Sequence, residues 1–133
     1  MILVDTSLWI HILRDKSGDL VKAFRKKTYS EIIVLTHFNQ LELLQGAKDE
    51  FEWRRLDEYL AGQYYIEANE ETWREAARIY FELRREGITI NSPIDCCIAS
   101  IAIQEKALLL HCDHDFERIA EIRPLFNEYF DPQ

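Results

Sequence analysis

The 133-residue sequence predicts an α/β fold built on a parallel sheet, and three observations carry that reading. Strand-like runs within Met1–Val4, Glu31–Thr36 and Ala107–Cys112 are continuously apolar instead of alternating, which suits strands covered on both faces. Between them lie stretches with apolar residues at helical spacing. The first and last runs end abruptly in acids, Asp5 and Asp113. Strands that alternate with helices imply parallel strands joined by right-handed crossovers, so their carboxyl ends share one edge, where α/β folds bind ligands.

The opening strand stops at Asp5, and Thr6 or Ser7 is placed to cap a helix carrying Leu8, Ile12 and Leu13. Asp5 itself reads either as a site residue at the strand's carboxyl end or as the cap of that helix. Lys16 to Asp19 form a turn from which Asp19 caps a second helix, with Leu20, Val21 and Phe24 on one side. The run 31–36 passes straight into a helix from His37 to Gly46, with Phe38, Leu41 and Leu44 or Gln45 at helical spacing and Gly46 as its stop. Glu42 lies about one turn into it, among Leu41, Leu43 and Leu44, which draws a carboxylate toward the buried side unless it simply faces solvent. An amphipathic helix from Phe51 to Leu60 uses Phe51, Trp53, Leu56 and Leu60, and Tyr64–Ile66 is a short strand.

Asn69 to Thr72 open the longest helix, whose stripe is Trp73, Ala76, Ala77, Tyr80 and Leu83 before Arg84, Arg85 and Gly87 end it. Ser92 is the expected N-cap of the next helix, Pro93 its first residue and Asp95 its third. That helix is apolar nearly all round, so it packs inside the domain and its one early charge must face something. A dipole-favoured acid at a helix N-terminus is the plainer alternative. The strand within 107–112 runs into Asp113, His114 and Asp115; Phe116, Ile119 and Ala120 suggest a short helix, and 124–130 reads as a last edge strand.

Length and composition fit one domain, 1–133, with 47% hydrophobic residues and no internal repeat. No apolar run approaches membrane-spanning length and the start is too short for a signal peptide, so the expected location is the cytosol. Cys96, Cys97 and Cys112 are odd in number and lack a C-x-x-C pair; they read as reduced core residues. A formal charge of −8 argues against a uniformly basic coat for nucleic acid, though not against a nuclease whose carboxylates gather around divalent cations. Lys22, Arg25, Lys26 and Lys27 read as phosphate contacts or, more plainly, as a solvated helix face.

The helix from Pro93 to about Lys106 runs roughly 20 Å and the following strand returns about as far, so Asp95 and Asp113 come back to the edge that holds Asp5 and Glu42. Carboxylates gathered there repel one another unless some take up protons or a cation offsets them. An oxygen donor set without paired Cys or His favours Mg²⁺ or Mn²⁺ over zinc, and water at such a site hydrolyses phosphodiesters. The string from His111 to His114 is the competing metal motif. Residues alternate direction along a strand and no matching pair stands elsewhere, so His111 and His114 are assigned structural or solvent-facing roles.

Four segments, VDTSLWI from Val4, QLELLQG from Gln40, PIDCCIA from Pro93 and LHCDHDF from Leu110, resemble the ordered motifs of PIN-domain ribonucleases, most nearly the VapC-type toxins of toxin-antitoxin pairs. The resemblance covers essentially the whole chain. It implies a three-layer α/β/α sandwich around a parallel sheet, a Mg²⁺- or Mn²⁺-dependent endoribonuclease, a cognate VapB-type antitoxin and a homodimer. It carries over Asp5 and Asp95 as principal metal ligands, Glu42 and Asp113 as completing the acidic site, and Asp115 as an outer ligand. Ser7 would orient a metal-bound water or cap the helix. His111 departs from the hydroxyl residue of many relatives and receives no role; Cys96 and Cys97 replace small residues and read as packing. In the toxin reading, an antitoxin arm carrying Arg or Lys would enter the acidic groove. Two other functions stay open on the sequence: a housekeeping PIN nuclease that processes RNA without an antitoxin, and a non-catalytic protein whose acidic pocket clasps a partner's basic tail.

Overall fold

The computed structural model describes residues 1–133, and at its centre is a wholly parallel, five-stranded sheet. The middle strand is β1 (Ile2–Val4), flanked by β2 (Ile33–Leu35) and β4 (Leu108–His111), with β3 (Tyr64–Tyr65) and β5 (Asn127–Tyr129) at the edges. Successive side chains point to opposite faces. Leu3, Val34 and Leu109 enter one core, while Ile2, Val4, Leu35 and Leu110 enter the other. This is why the runs are continuously apolar. The helices α1 (Thr6–Leu13), α2 (Asp19–Lys27), α3 (His37–Gln45) and α4 (Glu50–Ala61) cover the second face. The first face is covered by α5 (Glu70–Arg85), α6 (Pro93–Glu105) and α7 (Asp115–Ala120), completing the expected sandwich.

From β1 the chain moves outward through β2 to β3, then crosses back to place β4 and β5 on the other side. The order reverses between β1 and β4, and a crevice opens beyond their carboxyl ends at such a switch point. The Asp5 amide extends this pairing by donating to the Leu110 carbonyl at 2.9 Å.

Several local expectations are corrected. The cap of α1 is Asp5 and not Thr6 or Ser7. Asp19 is the first residue of α2; its N-cap is Gly18, at φ 84°, and the acid that holds this turn is Asp15, which accepts from the Val21 amide at 3.0 Å. On α3, Leu43 is buried and Leu41 is 56% exposed, because the helix turns Asn39 and Leu43 inward. On α4, Leu60 reaches the core but Phe51 and Trp53 are exposed, since this helix packs chiefly against α3 and not the sheet. The buried stripe of α5 is Thr72, Ala76, Ile79 and Leu83, leaving Trp73 and Ala77 outside. Thr72 is drawn in because its hydroxyl donates to Gln104 Oε1 at 2.9 Å, on the neighbouring α6. The basic end of α2 is a solvated face, with Lys27 paired to Glu128. No helix is long and apolar enough to cross a membrane.

Candidate active site

The crevice at the switch point is lined by acids from four separate segments. Asp5 follows β1 and is nearly fully buried. Its Oδ2 accepts from the Ser7 amide at 3.0 Å, while Oδ1 is buried without any partner. The capping reading of Asp5 therefore holds through Oδ2, and Oδ1 is left as a buried acceptor without a donor. Burial raises its pKa most strongly; hydrogen bonds from Ser7 and Thr6 offset part of this, and the charge of Asp113 adds to it.

Glu42 arrives from α3, six residues past its cap Thr36, and is half-buried. Its Oε1 accepts from the Thr6 hydroxyl at 2.9 Å, and Thr6 Oγ1 in turn accepts from Asn39 Nδ2 at 3.1 Å. Asn39 Oδ1 accepts from the Thr36 amide and hydroxyl at 2.9 and 2.8 Å, closing the capping box of α3. The same residues that start α3 thus lock α1 to it and aim Glu42. Burial pushes the Glu42 pKa up, the Thr6 hydroxyl holds it down, and Asp5 pushes it up.

Asp95 is the third residue of α6, 9% exposed, and Ser92 caps that helix by accepting from the Ile94 amide. Its carboxylate lies with those of Asp113 and Asp115 in a group whose ligand atoms are all within 4.8 Å of one another. Asp113 Oδ1 accepts from the Asp115 amide at 2.9 Å, and Asp115 Oδ2 accepts from the Asn91 amide at 3.0 Å while Oδ1 faces Arg118 at 3.5 Å. The chain offers Asp95 no compensating hydrogen bond. Burial, followed by the charges of Asp5, Asp113, Glu42 and Asp115, pushes its pKa up to about 8. Of the five acids singled out in the sequence, Asp95, Asp113 and Asp115 form the tight group, and Asp5 and Glu42 stand near enough for their charges to act on Asp95.

Donor chemistry fits a hard divalent cation: carboxylate oxygens only, one of them buried and unpaired, in mutual repulsion that a cation relieves. No cysteine joins this group, and burial pushes the thiols of Cys96 and Cys112 up to about 12 and about 11. Ser7 Oγ accepts from the Cys112 amide at 2.9 Å, pinning the end of β4 to α1. His111 is fully buried and structural: Nε2 lies 2.9 Å from Asn127 Oδ1 and Nδ1 accepts from the Asp113 amide at 3.2 Å, which fixes the acid's backbone. His114 is exposed. The supporting groups Thr6, Asn39 and Asn91 carried no signal in the sequence beyond their types, since they act across separations of 24 to 36 residues, whereas Arg118 stands three residues from Asp115 on α7.

Beside Glu42 runs a cleft of about 590 Å³ between α1, α3 and α4, lined by Ile10, Leu13, Leu43, Phe51, Leu56 and Tyr59, with Arg14, Lys48 and Arg55 at its rim. The misassigned Phe51 belongs here. A larger cleft of about 950 Å³ lies on the other layer between α5 and α6 and contains none of the five acids.

Residues 2–122 match the family model described as the PIN domain. Ribonuclease VapC11 of Mycobacterium tuberculosis is 34% identical to this chain over 129 residues, covering 94% of this chain and 96% of that protein. Among solved structures, VapBC2 from Rickettsia felis, bound to a DNA fragment from its promoter, is similar with a TM-score of 0.79 at 25% identity, covering 98% of this chain and 100% of the other. FitAcB from Neisseria gonorrhoeae shares the fold, with a TM-score of 0.74 at 22% identity over 99% and 98% of the two chains.

Proposed function

The chain belongs to the PIN-domain family, among the VapC-type ribonucleases, and from that premise we propose that it hydrolyses RNA phosphodiesters with Mg²⁺ or Mn²⁺ as the toxin of a VapBC-type pair. The observation that carries the chemistry is the crevice of five acids in which Asp95 is forced up to about 8 by burial and its neighbours. Asp5 and Asp95 are assigned as the principal cation ligands, Glu42 and Asp113 as completing the site, and Asp115 as an outer ligand whose oxygens are already engaged by Asn91 and Arg118. A bound divalent cation supplies charge to offset the developing phosphorane and lowers the pKa of attacking water.

The chain's own residues do the rest. The Ser7 amide holds one Asp5 oxygen and leaves the other without a donor, free to serve a cation. Thr6 fixes one Glu42 oxygen, leaving the second to accept a proton from water attacking in line at phosphorus. Products then carry a 5′-phosphate on one fragment. Purified, antitoxin-free protein incubated with total RNA is expected to cleave with Mg²⁺ or Mn²⁺ and to stop with EDTA or Asp5→Asn. Cleavage that survives Asp5→Asn, or 2′,3′-cyclic phosphate ends formed in EDTA, overturns the assignment.

The partner in this reading is a VapB-type antitoxin whose amphipathic segment seats in the cleft between α1, α3 and α4, and whose Arg or Lys reaches Glu42 and Asp5 in competition with the cation. Phe51 is 70% exposed and holds up nothing in the core, so Phe51→Ala is expected to change stability by less than about 0.5 kcal/mol. The same change weakens antitoxin binding about tenfold and leaves RNA cleavage intact. Calorimetry with the cognate antitoxin beside the cleavage assay checks both halves of that prediction. A homodimer and a cytoplasmic location complete the proposal.

A further inference from the structure

We propose that two imidazole-phenol stacks on the carboxyl edge of the sheet seat the nucleobases on either side of the phosphodiester that is cut, an inference that rests on RNA as the substrate. His114 stands between Asp113 and Asp115, and its ring lies flat on Tyr129 with centroids 4.4 Å apart and planes 2° apart. Tyr129 is at the end of β5, in register with His111, whose ring it meets edge-on at 5.9 Å. On the other side, His37 follows β2 and lies on Tyr65, at the end of β3, with centroids 4.7 Å and planes 15° apart.

Topology gives the pair its meaning. The strand order puts β3 and β2 on one side of β1 and β4 and β5 on the other, so the two stacks bracket Asp5 along one edge. The stacks stand about three strand spacings apart along the edge, Tyr65 on the face of Leu35 and Tyr129 on the opposite face with His111. Both outer rings are open: the side chains of His114 and His37 are 68% and 55% exposed. Both are also held in place, His114 Nδ1 by Glu117 at 3.2 Å and His37 Nδ1 by Glu67 at 3.0 Å, while Tyr65 is anchored by donating its hydroxyl to the Leu60 carbonyl at 2.8 Å. A flat ring fixed on a second ring is a preorganised surface for a base.

Charge argues in the same direction. Binding of nucleic acid through phosphates alone needs a surplus of cationic side chains, and this chain carries a formal charge of −8. Stacking supplies affinity without charge and tolerates every base, and unpaired bases of single-stranded RNA are the ones free to stack on aromatic rings.

Binding of fluorescein-labelled single-stranded RNA oligonucleotides to the full chain, followed by anisotropy in EDTA, separates this inference from catalysis. His114→Ala and His37→Ala are each expected to weaken binding about tenfold, and His114→Phe, which keeps a flat ring, to restore it. Oligonucleotides with a single abasic site add position: removing one base costs wild type about tenfold and His114→Ala nothing, and removing a different base does the same for His37→Ala. Alanine variants that bind as wild type, a His114→Phe variant as weak as His114→Ala, equal abasic penalties in wild type and variants, or no RNA binding by wild type overturn the proposal. Variants that lose affinity for the antitoxin and keep it for RNA make the stacks a peptide surface and also overturn it. Wild type that binds with the expected pattern but never cuts RNA sinks the nuclease reading and leaves the stacks standing; wild type that cuts RNA beside unaltered alanine variants sinks the stacks alone.

Discussion

The two halves of the acidic crevice are built differently. Asp5 and Glu42 each have one oxygen held by a donor from the same short segment, the Ser7 amide and the Thr6 hydroxyl, and Thr6 is itself fixed through Asn39 to Thr36. Asp95, on the opposite side, has no such partner and lies against Asp113 and Asp115. One half is oriented by hydrogen bonds that exist without any ligand. In the other, the Asn91 amide and Arg118 hold Asp115 and the Asp115 amide holds Asp113, while Asp95 has no donor to offset its neighbours' charge. The first half is set by hydrogen bonds, and the second leaves Asp95 repelled by its neighbours.

The contrast makes graded predictions. The largest effect is expected from Asp95→Asn, which removes the unsatisfied ligand and lowers the rate of RNA cleavage by about 100-fold or more. Asp115→Asn should cost only about tenfold, since that carboxylate already has Asn91 and Arg118 as partners; equal losses in the two variants erase the distinction between the halves. Thr6→Val leaves Glu42 and the Asn39 amide without partners and should cost about 1–2 kcal/mol by urea unfolding, with about tenfold slower cleavage.

Smallest is a stability effect of opposite sign. Asp95 titrates near 3.8 when unfolded and near 8 when folded. Below about pH 4 it is protonated in both states and costs nothing; as pH rises toward 8 the unfolded chain gains by releasing a proton that the fold retains, so metal-free stability falls across that window. Asp95→Asn lacks this slope. Its Tm in EDTA at pH 8.5 should exceed that of wild type by about 4 °C, which corresponds to about 1 kcal/mol for a domain of this size, and the difference should close near pH 4. Added Mg²⁺ should raise the Tm of wild type alone. An Asp95→Asn protein that melts below wild type at pH 8.5 contradicts the repulsion assigned to this half.

Legibility in the sequence followed the range over which each feature is determined. The strands at Ile2–Val4 and Leu108–His111 were visible because double burial demands an unbroken apolar run. Asp95 was visible because a lone acid opens a helix otherwise free of charge until its end. The faces of α4 and α5 were not, because spacing identifies a stripe but not the neighbour it meets: Phe51 and Trp73 carry helical periodicity and lie outside. The network from Thr36 through Asn39 and Thr6 to Glu42 joins segments 33 and 36 residues apart, and nothing local distinguishes those hydroxyls from ordinary caps. Asp5 shows the limit from the other side, since capping and a site role looked like alternatives, yet the cap engages only Oδ2 and leaves Oδ1 without a partner.

That a cation joins the two halves is tested most directly by calorimetric titration of Mg²⁺ or Mn²⁺ into the antitoxin-free protein at pH 7, in two buffers with different heats of ionisation. With Asp95 titrating near 8, it holds its proton at pH 7 and must release it to bind the cation. The prediction is that wild type releases protons as it binds the cation, and that Asp95→Asn releases fewer and loses most of the affinity. Cation binding without proton release, or undiminished binding by Asp95→Asn, would contradict it.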